Sequence, residues 1–110
     1  NTLLAMRTAV AAQQSGVFVA FHRAVFTAMW VDGVNVGDPD AFATVLRGAG
    51  LDADALLAQA QTPAVKDTLR DATMAAVDRG VFGVPTFFVG KEMFWGNDRL
   101  LFVERAIAAV

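Results

Sequence analysis

The sequence predicts an α+β chain that is mostly helical and ends in one β-hairpin followed by a helix. Three observations predict this. Apolar residues recur at helical spacing through most of the chain as far as Gly80. Helix-start signals recur along it, among them two side chains able to cap a helix directly before a proline, Asp38-Pro39 and Thr62-Pro63. One run, Thr86-Phe87-Phe88-Val89, is β-branched and aromatic throughout, and Gly90-Lys91 separates it from a second short apolar run ending at Trp95.

Thr2 to Gln14 reads as the first helix, with Leu3, Met6, Ala9 and Val10 at helical spacing and Asn1 as N-cap. Ser15-Gly16 breaks it. Val17 to Val31 is the second helix. It is apolar on nearly every side, which predicts burial on several sides. Phe18, Phe21, Val25 and Met29 share one face, with Val17, Phe26 and Trp30 elsewhere. Asp32 to Gly37 is a loop.

Asp38 caps the third helix, with Pro39 in its first turn and Asp40 near its positive end. It runs to about Arg47, and Gly48 and Gly50 end it. Asp52 caps a short fourth helix that reaches Gln59. The fifth runs from Pro63 to Arg79 with a stripe of Val65, Leu69, Ala72 and Ala76, and Gly80 stops it. Pro85 cannot donate to a ladder, so it belongs at the first position of a strand. Gly90 supplies the positive φ that a II′ turn needs at its first central position. The last helix runs from about Asp98 to Ala109, capped by Asn97 or Asp98. Leu100, Val103, Ile107 and Val110 are expected to face inward.

Composition narrows the function. Hydrophobic residues make up 55% and charged residues 18%, too apolar for disorder. The net charge is −2, with no basic cluster, which argues against nucleic-acid binding. No apolar run approaches the length of a membrane span. Without cysteine, the chain holds no disulfide, thiolate metal site or cysteine nucleophile. A single histidine, His22, argues against a zinc site. The chain starts at Asn1-Thr2 directly into a helical pattern, without an initiator Met or a signal-peptide pattern, and is expected to be a fragment. The hairpin supports that expectation. Two strands alone are marginal in water, and Phe87-Phe88-Val89 is apolar on both faces, as in a strand covered on both sides. A second copy of the chain completing the sheet is the other explanation.

Several residues invite chemistry, and each has a plainer reading beside it. If the bond before Pro85 is cis, Val84 turns its backbone outward to pair with an extended ligand. Otherwise Pro85 merely begins a strand in the trans form. Asn97 and Asp98 stand at a helix start, where N–H groups attract carboxylates, and both are also ordinary caps. Phe82, Phe94 and Trp95 either wall an aromatic substrate or cover the hairpin. Trp95 is the best pocket wall of the three, because it adjoins Gly96-Asn97-Asp98. Arg99 either attracts a carboxylate or is a solvated charge in a first turn. His22 reads as surface or packing, since no partner for a triad accompanies it. Asp38, Asp40, Asp52 and Asp54 read as helix-start residues and lack the Gly and terminal Glu of a calcium loop.

Gly80-Val81-Phe82-Gly83-Val84-Pro85-Thr86-Phe87-Phe88-Val89 followed by Phe94-Trp95-Gly96-Asn97-Asp98-Arg99-Leu100 resembles the C-terminal signature of the 2-hydroxychromene-2-carboxylate isomerases. These group with the kappa-class glutathione transferases in the DsbA-like branch of the thioredoxin superfamily. The resemblance covers nearly the whole chain, including Asn1-Thr2-Leu3 and Arg23-Ala24-Val25-Phe26. Many thioredoxin-like proteins share Val-Pro-Thr, and the second segment makes the match specific.

The resemblance implies the C-terminal portion of a thioredoxin-like α/β fold. Residues 1–79 would be its helical insertion, and residues 80–110 its closing hairpin and helix. The N-terminal half, with a β-α-β unit, would be absent. It implies glutathione as cofactor, with Val84 beside a cis-Pro85 binding its cysteinyl backbone and Asn97 and Asp98 holding its γ-glutamyl end. Phe82 and Trp95 would line the substrate pocket. The implied activity is glutathione-dependent isomerisation of a small aromatic carboxylate in aromatic-compound catabolism, in a cytoplasmic protein, with a homodimer as one assembly. The family's thiol-activating serine would lie upstream of Asn1, so no catalytic residue is expected here and this chain alone should be nearly inactive. A DsbA-like dithiol oxidoreductase and a kappa-type transferase are the alternatives within the superfamily. A non-catalytic helical interaction module is the alternative outside it.

Overall fold

A computed structural model describes all 110 residues. The order is α1 (Leu3–Gln14), α2 (Phe18–Trp30), α3 (Pro39–Gly48), α4 (Ala53–Ala60), α5 (Pro63–Asp78), β1 (Thr86–Val89), β2 (Glu92–Trp95), a single 3-10 turn (Asn97–Arg99) and α6 (Leu100–Ala108). Contacts divide the chain into two units, Asn1–Ala72 and Thr73–Val110, with the division inside α5.

In the first unit, α1 packs on α2 and α4, and α3 on the same two helices. Phe42 and Leu46 of α3 are wholly buried at its centre. The edge of Phe42 meets Phe21 of α2 with ring centroids 6.1 Å apart at 89°, a favoured aromatic geometry. Ala11, Ala12 and Ala60 have no exposed surface, so small side chains admit close helix approach. The one buried polar side chain, Thr8, donates to the Leu4 carbonyl at 2.7 Å and so leaves no unpaired hydroxyl. Gln59 of α4 donates to Gln14 at 2.9 Å and ties the two helix ends together.

The acidic caps form as expected. Asp38 accepts from the Asp40 N–H and Asp52 from the Ala55 N–H, both at 3.1 Å. Thr62 Oγ1 accepts from the Val65 N–H at 3.3 Å. Asn1 departs by one place. Thr2 occupies the N-cap, and the Asn1 side chain accepts from the Leu3 N–H at 2.9 Å.

Two burial expectations are corrected. α2 buries only one face, through Phe21, Val25 and Ala28, and leaves Val19, Phe26 and Trp30 exposed. The reason is that its main packing partners within the unit are α1 and α3. The α5 stripe is buried at Val65 alone; Leu69 and Ala76 are half-buried and Ala72 is exposed.

The second unit begins with the end of α5. Gly80, at φ +90°, donates to the Val77 carbonyl and Val81 to that of Ala76. This paired closure needs a left-handed residue, which glycine adopts without Cβ strain. β1 and β2 then pair antiparallel with Thr86 opposite Trp95 and Val89 opposite Glu92. Gly90 has φ +61°, and no residue other than glycine has a positive φ, so Lys91 excludes type I′ and the loop matches the expected II′ turn. The Arg79 guanidinium lies 3.6 Å over the Phe88 ring, a cation–π contact that covers one face of β1.

α6 packs on β1 and corrects the expected inward face. Val103 is buried, whereas Leu100, Ile107 and Val110 are exposed. A helix laid on one strand buries one row of side chains, and a two-stranded sheet offers no wider floor. No helix is long and apolar enough to cross a membrane.

Candidate functional site

The residues singled out in the sequence gather at the open end of the hairpin. The Val84–Pro85 bond is cis, as the resemblance implies. Val84 is 87% exposed, while Pro85 is half-buried. Thr86 Oγ1 donates to the Gly83 carbonyl and closes the turn before the strand. The Gly96 N–H donates to the Pro85 carbonyl at 2.9 Å, one step beyond the Thr86–Trp95 pair. The ladder therefore continues past the strands and draws the Val84-Pro85 backbone alongside the start of Asn97–Arg99.

Trp95 is the central side chain. Its indole lies against Gly83 so closely that an added Cβ there would collide with Nε1 and stand 3.0 Å from Cε2. Phe82 packs beside it, with ring centroids 5.2 Å apart at 47°. Phe82 is 71% exposed and Trp95 49%, so both rings reach the surface of this chain. The importance of Gly83 was not visible beforehand. Its one signal is a glycine set between two large apolar residues just before Val-Pro.

Asn97 and Asp98 do not cap. Gly96, at φ +98°, holds the N-cap of the 3-10 turn, and Arg99 holds that of α6. Neither terminus has a side-chain cap hydrogen bond. The capping expectation fails because α6 starts two residues later than its sequence pattern suggests. Asp98 instead folds back over Gly96, its Oδ1 2.6 Å from the point where a Cβ on that glycine would stand. Asp98 Oδ2 and Arg99 Nε are 4.0 Å apart, with both side chains more than half exposed. Such a pair is worth ~0–1 kcal/mol, so both charges remain open to a ligand.

Arg99 lies 5.6 Å from the Phe102 ring centroid. With Met93, Phe94, Trp95 and Phe102 it lines a cavity of about 390 Å³. Met93 and Phe102 were not foreseen as lining residues. His22 is stacked between Phe18 and Phe26, with centroids at 5.5 and 4.3 Å, and serves packing on α2.

Hairpin, preceding proline loop and closing helix are the C-terminal half of a thioredoxin-like fold, and the sequence profile of the DSBA-like thioredoxin domain matches residues 1–108. The chain belongs to this family. It is 41% identical over 85 residues to the 2-hydroxychromene-2-carboxylate isomerase of Sphingobium xenophagum, covering 77% of this chain and 44% of that protein. It is 29% identical over 109 residues to glutathione S-transferase kappa 1 of Homo sapiens, covering 91% of this chain and 48% of that protein. A solved 2-hydroxychromene-2-carboxylate isomerase superposes with a TM-score of 0.76 at 33% identity, over 94% of this chain and 53% of that one. The chain thus spans less than half the length of these curated relatives.

Proposed function

We propose that the protein carrying this chain is a glutathione-dependent isomerase of the 2-hydroxychromene-2-carboxylate type. The observation that carries this reading is the Gly96–Pro85 hydrogen bond, because it ties the chain next to the exposed residue Val84 to the start of the turn that holds Asn97 and Asp98, neither of which serves as a cap. A tripeptide needs both features. An extended peptide is held by main-chain N–H and C=O groups. A γ-glutamyl end adds a carboxylate and an ammonium, which need a donor and an anion.

The residues fit such a guest. Val84 offers its backbone to the cysteinyl unit. Asp98, free of capping duty and 81% exposed, suits the ammonium. Asn97 and the neighbouring N–H groups suit the carboxylate. Bound glutathione supplies a thiolate nucleophile, the group a reversible addition to an unsaturated substrate requires. Trp95 and Phe82 hold the aromatic substrate against that end of the hairpin. The likeness to the isomerases, in sequence and in structure, supports this reaction class.

Calorimetry and an isomerisation assay on the full-length protein test the reading. Glutathione binds at submillimolar concentration, and turnover of 2-hydroxychromene-2-carboxylate stops when glutathione is removed. Turnover indifferent to glutathione, or no binding at millimolar ligand, would overturn it.

A further inference from the structure

The geometry points to Arg99 as the carboxylate anchor for the aromatic substrate, a role that rests on the proposed isomerase reading and adds a specificity residue to it. The cavity of about 390 Å³ is walled by Met93, Phe94, Trp95 and Phe102, and Arg99 is its one charged lining residue. Its volume lies within the range typical of small-molecule sites, roughly 300–1,000 Å³. Aromatic and thioether walls with a single guanidinium are complementary to a flat aromatic ring bearing one carboxylate. A guanidinium presents a planar fork that a carboxylate fills with two hydrogen bonds.

The two charges of the Asn97–Arg99 turn point to different tasks. Asp98 folds back over Gly96, whose N–H is bonded to the carbonyl of Pro85, the residue after Val84. Arg99 instead reaches the cavity and the Phe102 ring. Its one acidic neighbour stands at 4.0 Å, too far for a strong fork, so the guanidinium keeps its donors for a ligand. Trp95 joins the two places, touching Gly83 with its indole nitrogen and lining the cavity with the same side chain. A cofactor at the Val84 end and a ring in the cavity would therefore both adjoin Trp95.

The test uses the full-length protein with Trp30→Phe, which leaves Trp95 as the one tryptophan this chain contributes to fluorescence. Cinnamate and its neutral amide, cinnamamide, are the probes. The parent is expected to bind cinnamate at least tenfold tighter than the amide. Arg99→Leu should abolish that preference while leaving glutathione affinity within twofold, and Arg99→Lys should restore part of it. A parent without the preference, or an Arg99→Leu protein that keeps it, overturns the assignment. These binding results stand apart from the isomerase reading, whose own failure shows as absent glutathione-dependent turnover in the parent.

Discussion

Trp95 fills the space that any side chain at residue 83 would need. This close approach holds the indole beside the chain at Phe82 and Val84, which flank the same glycine, and so would set the aromatic wall of the proposed site.

Replacing Gly83 with alanine is therefore expected to push the indole outward. The ring is half-exposed and has room to swing, so the stability cost stays near the low end of overpacking, about 1 kcal/mol. In the Trp30→Phe background the emission of Trp95 shifts to the red, and glutathione affinity falls. Unchanged emission would show that the indole is not seated on Gly83.

Asp98 and the true caps should separate cleanly on mutation. Asp38→Ala and Asp52→Ala each remove an observed bond to a helix N–H and should cost about 1 kcal/mol in chemical denaturation. Asp98→Ala removes no cap and should stay within ~0.5 kcal/mol. An Asp98 cost equal to the other two would return it to a structural role.

Asp98→Asn bears on ligand recognition instead. A charge-assisted hydrogen bond is worth roughly 1.5–3 kcal/mol, so glutathione affinity should drop about 10- to 100-fold. A glutathione analogue lacking the γ-glutamyl ammonium should bind parent and variant alike. Calorimetry reads both values, and equal losses for the two ligands would contradict the assignment.

Val84 tests main-chain recognition. The residue is 87% exposed and no contact of its side chain is needed for the fold, so Val84→Ala should leave glutathione affinity within about twofold and stability within ~0.5 kcal/mol. Val84→Pro deletes the N–H and should weaken binding by roughly tenfold, the worth of one hydrogen bond. A large loss in the alanine variant would mean that side-chain contact dominates.

Local chemistry was legible in the sequence wherever neighbours in the chain decide it. Asp38-Pro39 and Thr62-Pro63 announced two helix starts, Gly80 a stop and Gly90-Lys91 the turn type, since each needs only a few adjacent residues. Burial was harder to read. α2 and α6 are apolar on more sides than their own units cover, so Trp30 and Ile107 were expected inside and stand outside. At the site, Val84, Asn97 and Asp98 stood out as residue types. The loss of their capping role did not, because it depends on α6 starting at Leu100. Gly83, Met93 and Phe102 were missed because their contacts with Trp95 or its cavity arise only when the hairpin closes and α6 is laid on it.

The hairpin has one further consequence. Each of its strands is bonded along a single edge, so every second amide of β1 and β2 points away from its partner. Deuterium uptake along Thr86–Val89 should then alternate between slow and fast from one residue to the next. Any strand that docks on the free edge would erase the alternation, making this short ribbon its own reporter of assembly.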